Sequence, residues 1–219
     1  MLLTVMNYET ITKEDIINYR GYRKDIQGSK FSLYISNYPA NALYLKSRIG
    51  NLDLTLAELC CSVGVTLEYL ASGFKKVIGV DLDKDILDIC ETNLKRSGCI
   101  AKTELILGNV FDDHVLKRIE ADIVIYDIPF WYTHEQENQG NLIDKNPPLK
   151  ALIQKIRTYI TSNIIIFSPP EWDYEYFSKQ LGAIEFEQVF IEGSHNRNQI
   201  YLGELIKIEG KTKIELNHK

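Results

Sequence analysis

No apolar run in this chain of 219 residues approaches the roughly 20 needed to span a bilayer. The first residues, MLLTVMNYETITKED, lack the basic region and cleavage site of a secretory leader, so cytoplasmic residence away from any membrane is the expectation. Cysteine is scarce. Cys60, Cys61, Cys90 and Cys99 show no C-x-x-C spacing, and adjacent Cys60 and Cys61 cannot readily bridge one another. That excludes a zinc cluster and a disulfide framework, leaving the four as reduced core residues. The histidines (His114, His134, His195 and His218) are scattered. With no H-E-x-x-H and no G-x-S-x-G, metallohydrolase and serine hydrolase chemistry lack support, and no metal is expected. Internal repeats and low-complexity segments are missing as well.

The net charge of −5 argues against a chain that coats nucleic acid along its whole length. Locally the balance reverses. Residues 16–50 hold Arg20, Arg23, Lys24, Lys30, Lys46 and Arg48 against Asp25 alone, a local charge of +5 on an acidic body. Such a section either docks a polyanion or forms a solvated helical surface, and both remain open.

From residue 54, short β-rich runs alternate with helical patterns, the signature of a parallel sheet covered on both faces. The spacing predicts strands at 54–59, 76–81, 103–107, 122–127 and 163–168. Helices are predicted at about 63–72, 83–98 (Asp83 as cap, Gly98 as stop), 112–119, 148–160 and 172–181. The end of the chain changes rhythm: 184-IEFEQVFIEG-193 and 199-QIYLGELIKIEG-210, separated by SHNRN, predict an antiparallel hairpin. Before residue 54, Thr12 and Asp15 are spaced as a capping box, and 39-PANALYLKSRI-49 predicts a second helix. The expected organisation is a helical extension over 1–50 and one domain over 51–219, with a long loop at 133–147.

Three strand ends carry chemistry. The segment 57-AELCCSVGVTLEYLA-71 closes its strand with Glu58 and turns through small residues, without the G-x-G-x-x-G that holds a pyrophosphate. Asp81 ends the second strand 23 residues later, a spacing from which a carboxylate reaches a ribose with two hydroxyls. After the third strand comes 108-GNVFDD-113, where Asn109 offers a side-chain acceptor and Phe111 a flat face. Open α/β sheets bind ligands at these ends.

Together these residues resemble the class I S-adenosylmethionine-dependent methyltransferases. Glu58 matches the acid of the first motif and Gly64 its second glycine, while Ser62 stands where the first glycine usually lies. The resemblance implies an α/β, Rossmann-like, seven-stranded class I methyltransferase fold with a C-terminal antiparallel hairpin and a small N-terminal helical extension. It also implies S-adenosylmethionine held by Glu58, Cys60, Ser62, Gly64, Asp81, Leu82, Asn109 and Val110. Asp81 would bind the ribose, and Asn109 would face the adenine amino group in place of the usual acid. An ordinary strand-to-helix turn and a plain β-turn asparagine are the alternatives.

The fourth strand ends in 127-DIPF-130, which resembles the [D/N/S]-P-P-[Y/F/W] motif of methyltransferases acting on an amino nitrogen conjugated to a ring or carbonyl. Ile128 replaces the usual first proline. The lone pair of such a nitrogen is delocalised, and two acceptors that bind its protons turn it toward the methyl donor. The resemblance makes Asp127 and the Ile128 carbonyl those acceptors, Pro129 the rigid turn and Phe130 the stacking face. Trp131 and Tyr132 add a second wall, and stacking a base on an aromatic contributes about 1 to 3 kcal/mol. A hydrophobic plug at the strand end is the alternative.

Among amino-methylating families the nearest overall resemblance is to trimethylguanosine-synthase-like RNA methyltransferases, over roughly residues 33–130, with Ser36 and Pro39 matching before the first motif. It implies methylation of an exocyclic amine of an RNA base, guanine N2 or adenine N6. RNA would dock on the N-terminal basic section, Arg23 and Lys30 included, and on His195 and Arg197 of the hairpin turn. DNA adenine, a protein amide or a small amine also suit the motif, and a catalytically silent cofactor-binding module is the alternative from another class. The run 168-SPPEW-172 follows strand five, so Ser168 and Trp172 either border the substrate pocket or start a helix.

Overall fold

Strands rich in β-branched residues, separated by amphipathic helices, hide both of their faces at once. The computed structural model describes residues 9–127 and 149–217. In it the runs become β1 (Thr55–Leu59), β2 (Lys76–Asp81), β3 (Thr103–Leu107), β4 (Ile123–Asp127) and β5 (Ile164–Ser168), all parallel. β6 (Glu185–Ile191), β7 (Ser194–Tyr201) and β8 (Gly210–Leu216) complete one sheet ordered β3-β2-β1-β4-β5-β7-β6-β8. β7 enters antiparallel between β5 and β6. This is the Rossmann-like sheet that was expected, extended by an eighth strand that pairs with β6 in parallel.

Alternate residues of each central strand feed opposite layers. Ala57, Val124 and Ile166 face a layer holding α6 (Asp113–Leu116), α7 (Leu149–Tyr159) and α8 (Tyr174–Leu181) through Leu116, Ile156 and Phe177. Leu56, Ile125 and Ile165 meet α3 (Pro39–Ile49), α4 (Val65–Ala71) and α5 (Lys84–Arg96) through Leu45, Leu67 and Leu94. α5 starts where its cap was expected: the Asp83 carboxylate accepts from Asp85 N at 2.8 Å and Ile86 N at 3.2 Å. Such a cap contributes about 1 kcal/mol.

The hairpin turn lies elsewhere than expected. Glu192 and Gly193 form it, with φ of +50° and +78°. Two left-handed central residues give the turn whose twist suits a hairpin. SHNRN, polar enough to resemble a turn, is instead the first part of β7, where Arg197 lies over the Phe167 ring and Asn198 bonds the Pro169 carbonyl at the end of β5. The run 199–210 therefore splits: β7 ends at Tyr201, and a new strand begins at Gly210.

The N-terminal segment opens with α1 (Lys13–Arg20), closed by the Thr12–Asp15 capping box. A short α2 (Lys30–Ile35), capped by Ser29, had no sequence signal. Ile16, Ile17, Tyr22 and Leu33 pack on Val63 and Val65, which ties this segment to the turn after β1. The Tyr22 hydroxyl lies 3.1 Å from each of the carbonyls of Leu33, Ser36 and Asn37, so the connection between α2 and α3 is held against the strand ends.

Candidate active site

The turn after β1 places three left-handed residues within five: Cys60 at φ +65°, Ser62 at +49° and Gly64 at +81°. Gly64 needs its missing side chain twice over, since a Cβ would also lie 2.5 Å from Cys90 Sγ. Cys60 and Ser62 carry a Cβ and hold a conformation that costs on the order of 1 to 3 kcal/mol each. Backbone bonds over-determine them. Ser62 N donates to Asp81 Oδ2 at 2.9 Å, Asp83 N to Asp81 Oδ1 at 3.1 Å, and Cys61 N to the Val80 carbonyl at 3.0 Å. Asp81, at the tip of β2, thus clamps the β1 turn, a role its spacing in sequence did not reveal.

A small opening to solvent lies over these tips, lined by Glu58, Cys60, Ser62 and Asp127 and by Ser36 and Asn37 of the α2–α3 connection. Glu58 is 2% exposed, and among the described residues its Oε2 has no hydrogen-bond partner. Burial and then the Asp127 charge push its carboxyl well above the ordinary range, against the Thr66 hydroxyl that bonds it. Burial also lifts Asp127, and the Arg197 guanidinium lowers it. The Cys60 thiol is pushed up by burial and by the Asp81 and Asp127 charges, so it stays a thiol and is no nucleophile. Among the described residues no group of His, Cys, Asp and Glu is arranged to hold a metal ion.

Asn37 is the residue that motif reading missed. It is 1% exposed; its Oδ1 accepts from Asn41 Nδ2 at 3.0 Å, and among the described residues its own Nδ2 has no partner. The sequence signals nearby are the matches at Ser36 and Pro39. The opening therefore presents one buried idle donor, Asn37 Nδ2, and one buried idle acceptor, Glu58 Oε2. Buried polar atoms are normally paired. A buried donor and a buried acceptor on residues that line one opening suit the carboxylate and ammonium of an amino-acid head group, and among the described residues the lining holds no basic side chain for a phosphate. S-adenosylmethionine carries that head group, so the residues present fit it.

The other expected site residues divide. Glu58, Cys60, Ser62 and Asp127 line the opening, and Gly64 shapes its turn. Leu82, 68% exposed, follows β2; Asn109 and buried Val110 follow β3; none of the three lines the opening. Asn109 Oδ1 accepts from Phe111 N at 3.0 Å, the bond of a local turn. Ile128, Pro129, Phe130, Trp131 and Tyr132 lie outside the described residues.

Several of the basic residues have partners within the chain. Arg23 is bound at 2.5 Å to Glu68 and also to Asp25. Arg20 donates to the carbonyls of Tyr34 at 2.6 Å and Ser36 at 3.0 Å, and Arg48 meets Glu185 at 2.6 Å. These three cations thus tie down the N-terminal segment, because desolvated carboxylates and carbonyls bind a guanidinium more strongly than water does. Lys24 is exposed; Lys30, the first residue of α2, is half-buried. His195 lies in β7, stacked on Phe190 at 4.8 Å with its Nε2 2.8 Å from Asn198 Oδ1. Arg197 is no turn residue either: it is buried in β7 with Nη1 3.9 Å from Asp127 Oδ2. Asn198 Nδ2 donates to the carbonyls of Pro169 at 2.7 Å and Trp172 at 3.1 Å, so SPPEW is a pinned turn, and α8 starts after it at Tyr174.

With strand order and strand-end acids in place, likeness to known proteins becomes decisive. The model of the RNA cap guanine-N2 methyltransferase family matches residues 54–201, from just before β1 to the end of β7. The chain belongs to this family. The family match leaves α1–α3 and β8 outside it. A Methanocaldococcus jannaschii protein, named provisionally as a ribosomal RNA large subunit methyltransferase, is 28% identical over 160 residues, covering 70% of this chain and 40% of that protein. Among solved structures, a Porphyromonas gingivalis protein described provisionally as a methyltransferase aligns with a TM-score of 0.64 at 16% identity, over 83% of this chain and 44% of that one. The rRNA methyltransferase aviRa of Streptomyces viridochromogenes aligns with a TM-score of 0.59 at 14% identity, over 81% and 88%. At such identities these two show the shared fold. The chain spans less than half the length of the first two relatives. Among the described residues no helix is long and apolar enough to cross a membrane.

Proposed function

We propose that this chain is an S-adenosylmethionine-dependent N-methyltransferase acting on an exocyclic amino nitrogen of a nucleobase in RNA, guanine N2 first and adenine N6 second. Membership of the guanine-N2 family supports the chemistry. The observation that carries the site assignment is that Asp127, at the tip of β4, lines the same opening as Glu58 and the strained Ser62 turn.

S-adenosylmethionine, when bound, supplies a methyl group on a sulfonium. The chain's residues do the rest. Asn37 Nδ2 and Glu58 Oε2 would take the carboxylate and ammonium of the head group, and by resemblance Asp81, at the β2 tip, would meet a ribose hydroxyl. Asp127 accepts a hydrogen bond from the amine to be methylated, and by resemblance the Ile128 carbonyl accepts a second. Holding both protons on one side turns the nitrogen lone pair to the other, and orientation of this kind lowers the barrier without any covalent step. As the nitrogen becomes positive the Asp127 carboxylate stabilises it. Phe130 supplies the stacking face in this assignment, with Trp131 and Tyr132 as a further wall. In the same reading residues 1–50 are a helical extension that covers the site of a 51–219 domain, and exposed Lys24 meets the RNA backbone.

The test is mass spectrometry of nucleosides from RNA incubated with the protein and cofactor carrying a deuterated methyl group. Labelled N2-methylguanosine is expected, and labelled N6-methyladenosine would reassign the base. Cofactor binding with no label in RNA, DNA or protein would leave a silent binding module. Asp127→Ala is expected to reduce transfer by about 100-fold or more while calorimetry shows cofactor affinity retained.

A further inference from the structure

A buried guanidinium with idle donors calls for an explanation. Arg197 is 8% exposed, and among the described residues neither its Nε nor its Nη1 has a hydrogen-bond acceptor. Its charge is met by Asp127 Oδ2 at 3.9 Å and by the face of the Phe167 ring, 4.9 Å from Cζ. The backbone aims it there. Asn198 pairs with Ser168 across β5 and β7, and its amide is fastened to the Pro169 and Trp172 carbonyls. One residue earlier the β6–β7 register slips: Val189 faces Arg197 while Phe190 faces His195, leaving Asn196 as the extra residue. Bulges re-aim side chains and recur beside active sites.

We propose that Arg197 is a positioning residue for the methyl transfer: it holds Asp127 ionised and aimed at the amine, while Glu58, across the opening, is the carboxyl that keeps the proton in the free protein. The role in catalysis rests on the function proposed above; the charge assignment rests on Arg197 Nη1 lying 3.9 Å from Asp127 Oδ2 and on Glu58 and Asp127 lining one opening. Two carboxyls line one opening, and like charges at close range do not both ionise cheaply. Asp127 meets Glu58 from β1, Cys60 from the turn after it and Arg197 from β7. Arg197 in turn feels Arg20, Tyr22 and Tyr38 of the N-terminal segment as well as Glu58. Burial keeps the Cys60 thiol and the Tyr22 and Tyr38 phenols neutral, and Arg20 is bound to backbone carbonyls. Among the described residues Arg197 is therefore the cation that decides which acid is charged. A protonated Asp127 would donate where the amine needs an acceptor, so the reaction runs on the ionised form.

The test combines pH profiles of single-turnover methyl transfer with carbon-13 NMR titration of the free protein labelled at Asp and Glu side-chain carboxyls. Asp127→Asn and Glu58→Gln assign the signals. In the wild type Asp127 is expected to titrate below Glu58. Arg197→Gln is expected to move both the Asp127 signal and the acid limb of the rate upward by about 1 to 3 pH units, with kcat falling more than KM for RNA rises. Arg197→Lys is expected to restore most of the limb, which a merely space-filling role would not require. The wild-type titration needs no variant to fold: Asp127 titrating above Glu58 overturns the proposal. So does a folded Arg197→Gln whose Asp127 signal stays in place. The NMR arm needs no substrate, so a wild type that transfers no methyl at any pH refutes the enzymatic function instead, whatever the carboxyls do.

Discussion

Glu58→Gln is expected to make the protein more stable and its cofactor site worse. Burial first, and the Asp127 charge second, hold the Glu58 carboxyl well above the carboxylate range. The folded chain thus keeps this proton at pH values where the unfolded chain, with a carboxyl near about 4.3, has released it. For a group raised on folding, the favourable contribution is complete below the unfolded value and is lost as pH climbs through the folded one. Glutamine keeps the shape and has no proton to lose. Once ionised, Glu58 is a buried carboxylate with one oxygen unpartnered among the described residues, and leaving such a group unsatisfied costs about 1 to 3 kcal/mol. The advantage of the variant should therefore be near zero at about pH 4 and reach about 1 to 3 kcal/mol at about pH 8. For a chain of this size each kcal/mol moves the unfolding midpoint by about 2 to 4 °C. Thermal unfolding followed by circular dichroism across that range reads the difference directly. Titration calorimetry on the same samples should show weaker S-adenosylmethionine binding, since the ammonium loses its acceptor. An advantage that does not change with pH, or a variant less stable throughout, would refute the reasoning, because Glu58 would then be ionised and paired in the free protein.

Other substitutions probe other parts of the fold. Gly64→Ala combines φ of +81° with a Cβ at 2.5 Å from Cys90 Sγ and should lose about 3 kcal/mol in urea unfolding. Arg48→Ala removes the charge partner of a buried Glu185, 2.6 Å away and 1% exposed, leaving it only neutral donors such as Lys207 N and Ile208 N, and should cost about 3 kcal/mol; hydrogen exchange in α3 should quicken first. Arg23→Ala breaks the link to Glu68 and is expected to cost about 1 kcal/mol or less. Filter binding should show RNA affinity unchanged for Arg23→Ala and reduced for Lys24→Ala, the reverse of what a docking role for Arg23 requires.

The legible parts of this protein are those whose causes are local. Strands β1 to β5 show in sequence because burial on both faces demands continuous apolar runs, and the Asp83 and Thr12 caps show because their partners lie three residues away or nearer. The antiparallel hairpin is present, but its turn lies at Glu192 and Gly193, which have the backbone of a turn, and not in SHNRN, which has only the composition of one. β8 escaped notice because GKTKIEL alternates on an edge, where only β6 supplies a partner. Of the opening, Glu58, Cys60, Ser62 and Asp127 were found from motifs at strand ends, while Asn37 belongs to no motif and enters by the folding of α2 and α3 over those ends.

By itself the sequence determined the alternation of strand and helix, the acids at the strand tips and the small-residue turn after β1 that lacks a G-x-G-x-x-G, since each follows from residues close along the chain. Only the tertiary structure decided what the cations do. Arg23 reaches Glu68 across 45 residues and Arg48 reaches Glu185 across 137, and Arg197 leaves an apparent turn to sit against Asp127. A charge is soluble anywhere on a surface, so composition cannot say where it will be buried. Burial is stable only beside an opposite charge or a ring, and which one lies within reach is settled when the sheet closes.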